Sequence, residues 1–234
     1  MNPTLFYGVP EGCSLGSIVA LEWAGQPYRL CRIQMPEVVS GEAYRRINPV
    51  GETPSLMTAR GEVISESLAI LNHIGATALG SGLAFAQGSR EFDRLNAMLA
   101  FLNTSFFNAF SPLWYALEHG SAGPEKAALT AYGRTMVAKT HAQLEALLDG
   151  RDWLLGRRTM ADAYFYGIAR WADFHQALDR RDYPGLQGLF ERLKDDPAVR
   201  FALAIEHEEE AESSGGFAGH VGLEEALQLL RQAA

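Results

Sequence analysis

The sequence predicts an α/β domain followed by an all-α domain, and three observations predict it. The first 80 residues alternate between short apolar runs and helical periodicity. Residues 76–89 then carry three glycines and no charge. From residue 90 onward the apolar spacing is helical almost throughout.

Thr4–Tyr7 is a short apolar strand, and Gly8–Gly12 a loop that contains Pro10. Cys13–Trp23 is a helix: Leu15, Ile18, Val19 and Leu21 repeat on a helical period, and Gly25 stops it. Tyr28–Ile33 alternates like a half-buried strand. A short helix over 42–47 and the turn Asn48-Pro-Val-Gly51 follow. Ser55–Thr58 and Glu62–Ile64 read as two strands joined through Gly61, and Glu66–Ile74 as a helix. The order βαβαββα implies a small mixed sheet with helices packed on it.

Residues 1–80 are therefore expected to form the first domain, 81–89 a linker, 90–212 the helical domain and 213–234 a C-terminal extension. Ser89 is a candidate N-cap. Helices are expected near 90–118, with a kink at Pro112, and near 125–149, 160–180, 186–195 and 198–212. Thr159-Met-Ala-Asp162 has the spacing of a capping box, with Asp in the place of Glu or Gln. Glu206–Glu212 is an acidic run expected to be a solvated helix end. After the break at Ser213–Gly216, Val221–Leu230 reads as an amphipathic helix in a loosely attached tail.

The 47% hydrophobic content is ample for a core, and the net charge of −8 argues against a general attraction to nucleic acid or anionic membrane. There is no basic region followed by an apolar run at the start, and no run of about 18 apolar residues, so neither a signal peptide nor a membrane span is expected. Cys13 and Cys31 are expected to be reduced thiols in a cytoplasmic protein. The six histidines lack metal spacing, and no metal is expected.

The sharpest local feature is Glu11-Gly-Cys-Ser14, between the first strand and the first helix. Free N–H groups at a helix start favour negative charge, which lowers a cysteine pKa, and Ser14 is placed to donate to a ligand thiolate. The alternative is that Cys13 is a buried filler and Ser14 a plain cap. Glu52-Thr-Pro-Ser55 opens a strand, and Ser65-Glu-Ser67 opens a helix whose N–H groups suit a carboxylate ligand.

Phe6-Tyr7, Cys13-Ser-Leu15, Asn48-Pro-Val-Gly-Glu-Thr-Pro-Ser-Leu56 and Ser65-Glu-Ser-Leu-Ala-Ile70, in that order, resemble the glutathione transferase family. Phe110-Ser-Pro-Leu-Trp114, Trp153–Tyr164 and Arg170-Trp171 resemble its bacterial beta class. The resemblance covers about residues 4 to 205. It implies a thioredoxin-like first domain, a helical second domain of the same family type, and a homodimer. It implies glutathione as cosubstrate, with Thr53 and a cis Pro54 at its cysteinyl part and Glu66 and Ser67 at its γ-glutamyl end. Cys13, Ser14 and Tyr7 are the implied catalytic residues, and Asp162 is structural.

Two positions depart from the resemblance. Phe107 stands where the beta class usually has His, and Pro36 lies where a lysine is usual. Arg45 or Arg46 is a candidate substitute for the missing cation. The aromatic helix with Phe101, Phe106, Phe107, Phe110, Trp114 and Tyr115 offers an apolar second-substrate wall beside core positions. The leading expectation is conjugation of glutathione to an apolar electrophile. The alternatives are glutathione-dependent thiol–disulfide reduction through Cys13 and a non-catalytic binding or assembly role.

Overall fold

The computed structural model describes residues 1–120, 122–213 and 215–233. Its sheet runs β4(Val63–Ser65), β3(Ser55–Met57), β1(Thr4–Val9), β2(Tyr28–Gln34), β5(Phe217–His220). β1 pairs parallel with β2 (Leu5 opposite Leu30) and antiparallel with β3 (Leu5 opposite Leu56); β3 and β4 are antiparallel. Side chains alternate across the pleat. Leu5, Tyr7, Val9, Tyr28 and Leu30 enter the large core shared with the helical domain, whereas Phe6, Cys31, Ile33 and Met57 enter a smaller core on the opposite face.

Helices α1(Leu15–Ala24) and α3(Ser67–Thr77) follow β1 and β4, and α2(Glu42–Arg45) lies over the smaller core through Tyr44. The helical domain comprises α4(Arg90–Phe101), α5(Ser111–Glu118), α6(Gly123–Leu148), α7(Met160–Ala169), α8(Trp171–Phe174), α9(Pro184–Lys194) and α10(Pro197–His207). The two halves meet where α1 packs on α7 with almost no space between backbones. A Cβ on Gly16 would lie 2.8 Å from the Ala163 carbonyl, and one on Gly167 would lie 2.8 Å from the Gly16 nitrogen. Only glycine permits this approach, and it fixes the start of α1, and with it Cys13, against the helical domain.

The helix expected over 90–118 is interrupted earlier than Pro112. Residues 102–107 form a π-helical turn and 108–110 a 3₁₀ turn. Side chains compete for the backbone there: Thr104 donates to the Ala100 carbonyl at 2.8 Å and Asn108 to the Thr104 carbonyl at 3.0 Å. Pro112 instead sits in the first turn of α5, where its missing N–H costs nothing. The helix expected over 160–180 is likewise two pieces, α7 and α8. The capping box at 159–162 does form, with the Asp162 carboxylate accepting from the Thr159 N–H at 2.7 Å.

The tail is not loosely attached. β5 pairs parallel with β2, and a last helix, α11(Leu223–Ala233), lies over the smaller core, where Val221, Ala226 and Leu227 are buried. The chain reaches the sheet through Gly216, whose added Cβ would lie 2.2 Å from the Gln26 carbonyl, and whose own carbonyl accepts from the Tyr28 N–H at 3.0 Å. Buried Glu22 holds the approach, accepting from Ser213 Oγ at 2.7 Å and the Gly215 N–H at 2.9 Å. The glycines that read as a break are thus a close backbone approach. Ser214 within that break, and Ala234 at the end of the extension, lie outside the described residues.

Candidate active site

Cys13 lies just before α1. Its thiol points at the Thr53 carbonyl, 3.7 Å away, and stands 3.7 Å from Ser67 Oγ. Three elements thus converge: the β1–α1 loop, the turn into β3 and the first residue of α3. The Thr53–Pro54 bond is cis, as are Val9–Pro10 and Met35–Pro36. Thr53 is half-buried, Pro54 and Ser67 are buried, and Glu66 is exposed at the rim with φ +71. A non-glycine residue in that conformation stores strain, which a structure retains where the surrounding contacts hold it.

The expectation of a lowered Cys13 pKa is not met. Burial pushes the thiol up to about 11, outweighing the hydrogen bond from Ser67 and the charge of Arg170 that favour the thiolate. Ser14 is also committed elsewhere: its hydroxyl accepts from the Gly8 N–H at 3.0 Å. Tyr7 is buried, and its hydroxyl meets His220 Nε2 of β5 at 3.3 Å. Burial raises the Tyr7 pKa, against an opposing hydrogen bond from Arg32. So Cys13, Thr53 and Ser67 converge, with Pro54 and Glu66 beside them in the chain, while the Ser14 and Tyr7 hydroxyls face other partners. The physical reason is strand alternation: Tyr7 points into the large core, where the tail supplies its polar partner.

The helical domain locks the loop that ends in Cys13. Arg170 Nη1 lies 2.7 Å from Glu206 Oε2, and Nη2 lies 3.2 Å from Oε1. Arg170 also donates to the Gly12 carbonyl at 3.0 Å and pairs with Glu11 at 3.2 Å. The Glu11 N–H donates to Glu206 Oε1 at 2.6 Å, and Trp171 Nε1 donates to the Glu11 carbonyl at 2.8 Å. Glu11, with φ +54, is thereby held from both sides of its peptide. Burial raises the Glu11 pKa, and Arg170 opposes the rise. Glu206 had read as part of a solvated run; its burial comes from Arg170, 36 positions away, which no local pattern reveals.

Phe107 stacks edge-on against Trp171 at 5.2 Å, and Trp171 meets Trp114 at 5.2 Å, forming an apolar wall. Arg45 and Arg46 are exposed on or beside α2, and Arg46 pairs with Glu42 at 3.7 Å. Tyr164, from α7, donates to Asn103 Oδ1 at 2.7 Å. Sequence reasoning missed Asn103, since nothing in the residues signals the π turn that carries it. Among the described residues no group of His, Cys, Asp and Glu is placed to hold a metal ion, and no helix is long and apolar enough to cross a membrane.

The comparisons with known proteins agree with this architecture. The glutathione S-transferase N-terminal domain model matches residues 18–82, and the C-terminal domain model matches residues 95–197. Glutathione S-transferase GST-4.5 of Xanthomonas campestris pv. campestris is 31% identical over 202 residues, 86% of this chain and 97% of that protein. The chain belongs to the glutathione S-transferase family. A sphingomonad glutathione S-transferase solved with glutathione superposes with TM-score 0.75 at 31% identity, covering 87% of this chain and 98% of that one. The glutathione S-transferase of Xylella fastidiosa gives TM-score 0.80 at 28% identity, covering 88% and 99%. A beta-class glutathione S-transferase of Sphingomonas chungbukensis gives 0.75 at 26%, covering 87% and 98%. The two family models stop at residue 197, so β5 and α11 of this family member lie beyond them.

Proposed function

We propose that the protein is a glutathione transferase that joins the sulfur of glutathione to an apolar electrophile. The observation that carries this reading is the convergence of Cys13, the Thr53 carbonyl and Ser67 Oγ in one cleft beside cis Pro54. The backbone of Thr53 presents the edge on which the cysteinyl part of glutathione would lie. Ser67 and the free N–H groups opening α3 suit the γ-glutamyl carboxylate, and the Glu66 carboxylate suits the ammonium beside it.

A cysteine held neutral up to about 11 acts as an S–H donor rather than a nucleophile. In this reading Cys13 hydrogen-bonds the glutathione thiolate, and Ser14 and Tyr7 support the chain on either side of it. The thiolate attacks the electrophilic carbon and a C–S bond forms. The leaving group departs with its electron pair, and the thiol proton has already passed to solvent. The wall of Phe107, Trp171 and Trp114 suits an apolar cosubstrate. The protein is read as a cytoplasmic homodimer, a reading with which the groove lined by Ala76, Leu79, Phe85 and Phe92 is compatible.

Thermal unfolding with millimolar glutathione tests the reading, because a ligand that binds only the native state raises Tm. Activity with chlorodinitrobenzene then tests the transfer. No thermal shift would end both the conjugation and the disulfide readings. Glutathione adduct formation on Cys13 under oxidising conditions, with no conjugation, would favour disulfide chemistry instead.

A further inference from the structure

Asn103 stands in the π-helical turn at 102–107, half-buried, and faces α7. π turns displace side chains from the positions a regular helix would give them and recur at functional sites. Tyr164 is fixed by the Gly16–Gly167 contact, since its Cα lies 2.9 Å from where a Gly16 Cβ would be. Its hydroxyl reaches Asn103 and interacts electrostatically with Cys13 and Ser67. Burial raises the Tyr164 pKa far above the ordinary range; nearby Cys13 adds to the rise and a hydrogen bond with Ser67 opposes it.

The Tyr164 proton is directed at Asn103 Oδ1, 2.7 Å away. That bond orients the carboxamide. With Oδ1 occupied, Nδ2 presents two hydrogens that meet no protein acceptor among the described residues. Phe107, four residues on, offers no polar atom. Beside the unpartnered indole N–H of Trp114, the Asn103 amide is thus a donor on the helical-domain side whose orientation is fixed, and it does not titrate.

We propose that the Asn103 amide, aligned by Tyr164, donates a hydrogen bond to the sulfur of bound glutathione and helps to hold it as the thiolate. The inference rests on the glutathione reading above and adds to it a named donor from the second domain. A neutral amide keeps its protons at every working pH. The pH dependence of conjugation then follows the ionisation of the glutathione thiol alone.

The test uses the full chain and four proteins: wild type, Asn103→Ala, Asn103→Asp and Tyr164→Phe. The thiolate absorbance of enzyme-bound glutathione is titrated against pH, and binding of S-methylglutathione, which has no ionisable thiol, is measured in parallel. Asn103→Ala is expected to raise the bound-thiol pKa by about one unit, the effect of losing a hydrogen bond to the charged form. Its conjugation rate at neutral pH should fall by about tenfold and recover in alkali. Asn103→Asp should raise the pKa further, by placing like charge beside the thiolate. Tyr164→Phe should shift it in the same direction by less. S-methylglutathione should bind all four proteins alike. An unchanged thiol pKa in Asn103→Ala, or equal loss of both ligands, overturns the inference while leaving the glutathione reading intact. Failure of the wild type to bind either ligand overturns both.

Discussion

Arg170 grips the Glu206 carboxylate with two nitrogens, at 2.7 and 3.2 Å, and each member of the pair also bonds the loop that ends in Cys13. The position of the thiol is therefore set from the helical domain as much as from its own sheet.

Removing one partner of this pair leaves the other buried and unpaired. Arg170→Met or Glu206→Gln should each destabilise the protein by about 3–5 kcal/mol. The double variant Arg170→Met/Glu206→Leu should lose clearly less than the sum, because neither member of the pair is left facing a vacated partner. Urea denaturation of the three variants decides this, and additive losses would show that the two residues act independently.

The tail should contribute stability as core does. Leu227 is 2% exposed, so Leu227→Ala should cost about 2–5 kcal/mol. Ending the chain before β5 should uncover Phe6, Ile33 and Tyr44 and produce binding of a hydrophobic dye. A shortened chain with unchanged melting temperature and no dye binding would contradict the packing.

Asp162 accepts three hydrogen bonds, from the Thr159 N–H and hydroxyl and from the Leu154 N–H. In Asp162→Asn one oxygen becomes an amide donor facing donors. A loss of about 1–3 kcal/mol is expected in thermal unfolding, the cost of a buried polar group left unpaired. Asp162→Glu keeps both acceptors but overfills the site, and should do no better.

Acid should destabilise the fold well above the carboxylate range. Burial lowers His141 from 6.5 to about 4, and burial lowers His175 to about 4. Between those values the unfolded chain binds protons that the native chain does not. Their contribution is thus complete above pH 6.5 and lost as pH falls toward 4. Asp162 runs the other way: burial raises it from 3.8 to about 6, so its contribution is complete below 3.8 and lost as pH rises to 6. The two large histidine shifts outweigh that of Asp162, burial raises Glu11 and Glu52 and lowers His220 in the same window, and stability should fall between pH 6.5 and 4. His141→Gln should flatten Tm against pH over that span; an unaltered slope would assign the effect elsewhere.

How far the sequence discloses the molecule depends on the range of the forces involved. β1 to α3 are legible because apolar alternation, Gly25 and the turn residues act locally. The capping box at Thr159 and Asp162 is legible for the same reason. β5 is not: Phe217–His220 is short, carries Gly219 and shows no alternation of apolar residues, and it becomes a strand only because Tyr28 and Leu30 lie alongside it. The π turn escapes notice because Thr104 and Asn108 do not announce that their side chains will take backbone carbonyls. The convergence of Cys13, Thr53 and Ser67 was legible from their order along the chain. Asn103 and Glu206 were not, since each owes its place to partners more than 30 residues away. The direction of the Cys13 pKa also escaped, because a helix start favours the thiolate while burial, invisible in the sequence, outweighs it.

The fifth strand reverses the usual relation between the order of synthesis and the order of assembly. β1 to β4 leave the ribosome first, yet the outer edge of β2 stays unpaired until residues 217–220 have been made. Unpaired strand edges recruit other chains, so this protein carries an open edge through the synthesis of its entire helical domain and closes it only once residues 217–220 have been made.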